Sequence, residues 1–372
     1  MKYFIISGEA SGDLHASNLV KQIKIIEPEA EFEGWGGDLC IAQGVKITKH
    51  IKDLAFMGFV EVVQNLNKIL KNFKTCKRQI LQYNPDKIIF VDYPGFNLKM
   101  LKWAKKHNFE TIYFISPNVW AWKTSRVKII RDFTDKMFVI LPFEKDFYAK
   151  YEIEVKYYGN PLVDLINNYK PDTYEEFCKK YILSLDKKLI AILPGSRKQE
   201  LKKILPIMIK VSEQFPEYQF IIAGAPSINK NLYYKIVPNL QIPILFDKTY
   251  EILSHSTSAL VKSGTATLET ALFKVPQVVC YKANKLSIII AKKLAKVIYI
   301  SLPNLILQKQ AVVELIQEDF SIERTIFELK KVLPESENYQ QIKDDYEKLY
   351  DLLNNSEVYG NIAREIVRRE KD

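Results

Sequence analysis

Residues 259–281 read ALVKSGTATLETALFKVPQVVCY. Ala259 to Lys262 has strand character, Ser263-Gly264-Thr265 is small enough to turn on, and Thr267 to Phe273 can continue as a helix. Pro276 then opens a second apolar run, too short for a helix. In such a βαβ unit, Ser263, Gly264 and Thr265 fall between a strand's carboxyl end and a helix's amino end. Unsatisfied N–H groups and the positive end of the helix dipole meet there, which suits a phosphate. Glu269, one turn in, can accept hydrogen bonds from a ribose. Plain capping by Ser263 and Thr265 remains open, as does an exposed, dipole-favouring Glu269. A capping box does not, because Ala266 stands where it would need Ser or Thr.

Outward from this stretch, strands and helices alternate, which predicts parallel sheets with crossover helices. The expected strands are Tyr3–Ser7, Lys87–Val91, Thr111–Ser116, Lys136–Leu141, Lys188–Leu193, Tyr218–Gly224 and Ile242–Phe246. With 372 residues, 47% of them hydrophobic, the chain can fill two domains. Residues 1–166 are expected to form the first and 167–345 the second, with the polar segment Asn167–Thr173 as linker. Residues 346–372 are expected as C-terminal helices that pack back on the first domain of the same or a partner chain, which leaves a homodimer open.

Several strand ends carry chemistry. Gly8-Glu9-Ala10-Ser11-Gly12-Asp13 follows the first strand, where open α/β sheets bind ligands, and is neither G-x-G-x-x-G nor a P-loop. Its candidate cleft residues are Gly8, Glu9, Ser11, Gly12 and Asp13. Asp92 closes the strand Lys87–Val91 and leads into Tyr93-Pro94-Gly95-Phe96-Asn97. Arg197 ends the turn Pro194-Gly195-Ser196-Arg197, and its planar fork suits bidentate phosphate contact. Glu33-Gly34-Trp35-Gly36-Gly37 reads as a glycine-rich turn. Residues Ser301 to Leu305 are expected to lead into a helix through Val312 and Gln317.

The four cysteines, Cys40, Cys76, Cys178 and Cys280, are widely spaced and without C-x-x-C, as for reduced thiols. Met1 leads straight into a strand-like run, so no targeting segment is expected. No apolar run reaches the ~18–20 residues that span a bilayer. Net charge is +10, yet 54 cations and 44 anions are interspersed. Without an RNP motif, zinc finger or long basic block, phosphate ligands and a membrane surface are expected ahead of nucleic acid.

Ala55 to Lys74 has helical periodicity. Phe59, Val60, Val62, Val63, Leu66, Ile69, Leu70 and Phe73 cover more than one face, Asn72 falls opposite, and lysines gather toward the end. Such a helix can pack on a core or lie in a membrane interface. The membrane reading is the expectation, with part of the stripe packed inward. Lys285–Tyr299 reads as a second apolar and basic helix.

Five stretches in order carry a resemblance: Gly8 to Asp13, Ser116-Pro117-Asn118-Val119-Trp120-Ala121-Trp122, Leu193 to Arg197, Ser263 to Glu269, and Leu302-Pro303-Asn304-Leu305. From about residue 3 to about 320 the chain resembles the lipid-A-disaccharide synthase family. The resemblance implies the GT-B fold, two Rossmann-like domains facing across a cleft. It implies an inverting, metal-independent transferase with no cofactor. The reaction would join UDP-2,3-diacylglucosamine to 2,3-diacylglucosamine 1-phosphate (lipid X) and release UDP. The setting would be cytoplasmic, peripheral to the inner membrane. By the same resemblance Asp92 is the essential aspartate, and Arg197, Asn304 and Gln317 match positions important for activity. Two positions depart from the pattern. Gly95 replaces a second carboxylate, which concentrates the base role on Asp92. Lys309 replaces an arginine, keeping a positive charge for the departing diphosphate and losing the planar fork. A UDP-sugar epimerase of the same scaffold and a non-catalytic nucleotide-binding adaptor at the membrane are the alternatives.

Overall fold

The computed structural model describes residues 1–54, 66–122, 124–283 and 298–368. They divide into two compact units, Met1–Pro161 with Asn355–Asp372, and Leu162–Asn354.

The first unit is built on a seven-stranded sheet of order β3-β2-β1-β4-β5-β6-β7, parallel throughout. Its strands are β1 (Lys2–Ile6), β2 (Glu31–Gly36), β3 (Lys46–His50), β4 (Lys87–Val91), β5 (Glu110–Phe114), β6 (Lys136–Val139) and β7 (Lys156–Tyr157). The strand order reverses between β1 and β4, which pair from Tyr3 with Lys87 to Ile6 with Phe90. That is the topological switch point where doubly wound sheets take ligands. Continuous apolar runs such as KIIFV are buried on both faces, as a helix-covered parallel sheet requires.

The stretch expected as a glycine-rich turn, Glu33 to Gly37, is instead mostly strand β2. Gly34 pairs with Ile5, and a Cβ on Gly34 would sit 2.0 Å from the Ile5 carbonyl oxygen, so glycine permits the pairing here. Trp35 is fully buried and stacks on Phe96, with ring centroids 5.0 Å apart. Phe73 stacks on the same ring at 4.4 Å and Tyr93 at 5.6 Å. This aromatic column ties the helix Leu66–Tyr83 to the loop after β4.

Of the expected membrane contacts, Phe59, Val60, Val62 and Val63 lie outside the described residues. In the helix Leu66–Tyr83, Cys76 and Ile80 are buried, while Leu70 is 52% exposed beside the exposed Lys68, Lys71 and Lys74. Ile69 is half-buried. Asn72, expected on the polar face, is buried. The expected helix Lys285–Tyr299 falls almost wholly outside the described residues.

The second unit carries a six-stranded parallel sheet of order β10-β9-β8-β11-β12-β13. The strands are β8 (Leu189–Leu193), β9 (Gln219–Gly224), β10 (Ile244–Phe246), β11 (Ser256–Lys262), β12 (Gln277–Tyr281) and β13 (Glu314–Ile316). Here the order reverses between β8 and β11, so the loops after Leu193 and Lys262 emerge side by side. The helix expected through Val312 and Gln317 is only Leu302–Leu307, and Glu314–Ile316 is edge strand β13. Pairing of Cys280 with Leu315 outweighs local helical pattern there.

The expected divisions shift. The first falls at Pro161/Leu162, ahead of 166. The second, expected at 345/346, would cut the helix Asn338–Leu353. That helix stays with the second unit, where the Tyr346 hydroxyl accepts from Gln277 at 3.1 Å and Lys309 pairs with Asp345 at 2.6 Å. Only the helix Val358–Val367 joins the first unit. There Tyr359 meets His15 at 2.8 Å, and Lys87 donates to the Ile366 carbonyl at 2.7 Å. All four cysteines are buried and unpaired with one another. Among the described residues no helix is long and apolar enough to cross a membrane.

Candidate functional site

In the first unit, the switch point brings Gly8 to Asp13 beside Asp92. Asp92 and Tyr93 both take left-handed backbone angles, φ 46° and 50°. Such conformations cost about 1–3 kcal/mol each and persist only where surroundings over-determine them. Three contacts do so. The Asn97 amide donates to the Asp92 carbonyl at 2.7 Å and to Val91 at 3.3 Å, and the Tyr113 hydroxyl donates to the Asp92 carbonyl at 2.8 Å. The Tyr93 ring lies so close over Gly8 that a Cβ there would come within 2.3 Å of it. Gly8 is therefore required by close approach.

The half-buried Asp92 carboxyl is pushed up to about 7, first by burial and then by the charge of Glu9, with a backbone hydrogen bond from Tyr93 opposing. A carboxylate poised there is a competent general base at neutral pH. The pH dependence of kcat/KM should show an acid limb near pH 7, with activity rising as Asp92 deprotonates. Glu9→Gln should move that limb to lower pH, because it removes a charge that opposes ionisation. An unmoved limb would detach it from the Glu9–Asp92 pair.

Asp13 belongs to the architecture. It is 3% exposed, and its oxygens accept from the backbone N–H groups of Gly37 (2.6 Å), Leu39 (3.1 Å) and Cys40 (3.3 Å). It anchors the start of the helix Asp38–Ala42. Gly12 packs under Ser7, where a Cβ would stand 3.2 Å from the serine Cβ, while Ser11 is exposed. Among the described residues nothing lies within 4 Å of where a Cβ on Gly95 would stand, so a side chain can start there without a clash. The stretch from Ser116 to Trp122 holds a carboxylate that sequence reasoning did not single out. Buried Glu144 accepts from Trp120 Nε1 at 3.2 Å and from the Leu141 and Ile140 N–H groups at 3.0 and 3.2 Å. Burial pushes its carboxyl to about 7. Only its position three residues into a helix starting after Leu141 hinted at this role.

In the second unit, Gly264 (φ 154°, ψ −163°) occupies a region open essentially to glycine alone. Gly264 and Thr265 are exposed at the start of the helix Thr265–Leu272. Ser263 plays a different part, since its hydroxyl donates to the Ile300 carbonyl at 2.8 Å and its N–H to Cys280 at 3.0 Å. Arg197 lies across the switch point, 56% exposed. Half-buried Glu269 is pushed up to about 7 by burial, with Tyr250 pulling the other way.

Asn304 and Gln317 turn inward, while Lys309 is exposed and pairs with the Asp345 carboxylate at 2.6 Å. Asn304 is fully buried; its amide donates to Val312 (2.8 Å) and Glu314 (2.9 Å) and accepts from the Ala311 and Val312 N–H groups (2.8 and 2.9 Å). Glu314, which sequence reasoning passed over, also accepts from Ile300 and Ser301 at 2.9 Å and shapes the whole loop. The Gln317 amide pairs with Ala283, accepting its N–H at 2.8 Å. These residues position backbone. Among the described residues, no group of three or more His, Cys, Asp or Glu could hold a metal ion.

Two doubly wound units, one bearing a strained strand-end carboxylate and the other an arginine beside a glycine turn, make up a GT-B architecture. Solved structures with that fold include a UDP-GlcNAc 2-epimerase from Neisseria meningitidis bound to UDP-GlcNAc (TM-score 0.64, 12% identity, covering 99% of this chain and 98% of that one). The glycotransferase of kitacinnamycin is similar too (TM-score 0.65, 9% identity, 98% of each). At those identities the likeness shows the fold alone. A family profile described as lipid-A-disaccharide synthetase matches residues 3–366. Lipid-A-disaccharide synthases from Psychromonas ingrahamii (38% identical, 94% of this chain and 93% of that protein) and Persephonella marina (35%, 95% and 94%) are full-length relatives. The chain belongs to the lipid-A-disaccharide synthase family, and its work is the glycosyl transfer of lipid A disaccharide synthesis.

Proposed function

We propose that the donor is UDP-2,3-diacylglucosamine and the acceptor 2,3-diacylglucosamine 1-phosphate. Asp92 takes the proton of the acceptor's 6-hydroxyl as that oxygen attacks the donor's anomeric carbon. The bond from that carbon to the diphosphate oxygen breaks, UDP leaves, and inversion gives the β(1→6) disaccharide 1-phosphate. Arg197 and the N–H groups at Gly264 and Thr265 stabilise the charge that develops on the diphosphate. Glu269 takes the ribose, while Ser263, Asn304 and Gln317 keep the binding loop in shape. The reading needs no metal or cofactor. The observation that carries it is the strand-end Asp92, held in left-handed backbone with its carboxyl near 7.

Acyl-bearing substrates are met at the cytoplasmic face of the inner membrane, peripherally. The exposed Leu70 among Lys68, Lys71 and Lys74 supports this, since lysines each add ~1 kcal/mol of attraction to an anionic leaflet. Purified protein given both substrates should yield a disaccharide phosphate by mass, with EDTA leaving the rate intact. Conversion of the UDP-sugar without acceptor would restore the epimerase reading, and strict dependence on added Mg²⁺ would overturn the metal-free mechanism.

A further inference from the structure

Lys262 is the last residue of β11, beside β8, with Val261 registered against Leu193. Its side chain is only 15% exposed, unusual for an ammonium. Its Nζ lies 3.0 Å from one oxygen of Glu200, a 13%-exposed carboxylate in the first turn of the helix Lys198–Ser212. The other Glu200 oxygen lies 3.6 Å from Arg197 Nη1. The lysine stem runs over Gly195, where a Cβ would stand 3.2 Å from Lys262 Cδ, and Gly195 has φ +97°. At its far end Nζ reaches within 3.9 Å of where a Cβ on Gly264 would be, with the Tyr281 ring 5.8 Å away.

A lone Lys–Glu pair would be a structural reading, but burying one costs desolvation that apolar residues would avoid. Here two cations share one carboxylate, leaving a net positive charge at the turn formed by exposed Gly264 and Thr265. Meanwhile Lys309, the cation expected to face the donor, is engaged with Asp345 at 2.6 Å. We infer that Lys262, seated by Glu200 against Gly195, is a second cation for the donor's diphosphate, acting with Arg197 across the switch point. The inference rests on the UDP-sugar reading and adds to it a residue outside the five family-like stretches. Burial lowers the lysine's pKa, with Glu200 opposing, so an arriving diphosphate would stabilise its charged form.

Calorimetry with UDP and UMP tests it on wild type, Lys262→Met, and the double variant Lys262→Met/Glu200→Gln, which strands no buried carboxylate. Both variants should bind UDP about tenfold more weakly, with a smaller UDP-over-UMP preference, which a purely structural ion pair would not alter. Wild-type UDP affinity in a double variant of unchanged melting temperature would overturn the inference and leave the UDP-sugar reading standing. So would loss in the single variant that the double variant restores. A wild-type protein that binds no uridine nucleotide would overturn both.

Discussion

Asp92→Asn is expected to cut turnover by ~10²–10⁴-fold, the usual worth of a positioned base, with UDP affinity nearly unchanged. The substitution keeps side-chain shape and hydrogen-bonding reach and removes only the capacity to take a proton. It also suits the backbone, because Asn tolerates the left-handed region that Asp92 occupies at φ 46°. The Asn97 and Tyr113 contacts are made to the residue 92 carbonyl, so they survive the change. Melting should stay near wild type while the rate collapses, and the acid limb near pH 7 should vanish. Near-wild-type turnover would move the base role to Glu9. Asp13 is no candidate for it, since three backbone N–H groups already occupy its oxygens.

Arg197→Ala carries the second large effect. UDP binding should weaken by ~1.5–3 kcal/mol, the range for a hydrogen bond to a charged group, or about 10- to 100-fold. The side chain is 56% exposed and its ion pair with Glu200 is 3.6 Å long, so its loss should barely change stability. That separation makes calorimetry decisive: lost affinity at constant melting temperature is a binding effect. Unchanged UDP affinity in both Arg197→Ala and Glu269→Ala would remove the donor from this turn.

The apolar runs and the loops that end them were legible along the chain. Strands such as Lys87–Val91 announce themselves as continuous apolar runs, and Gly8, Asp92, Arg197 and Gly264 fall at strand ends that any parallel sheet gathers on one edge. What a side chain does once there was not legible. Asp13 and Asn304 look like site residues because polar groups in loop motifs often are; in the folded chain Asp13's oxygens are spent on backbone N–H groups of a loop remote in sequence, and Asn304's amide on the loop that follows its own helix. Strand β2 was hidden because Gly34 and Gly36 lower local strand propensity, and only pairing with β1 reveals why small residues stand there. Lys262 read as the end of a strand, and nothing in the local pattern singled out Glu200. Local pattern reports which residues are buried or exposed within an element, whereas partnership across a switch point depends on register between β8 and β11. That register is a property of the sheet, formed from segments more than sixty residues apart, and no local stretch contains it.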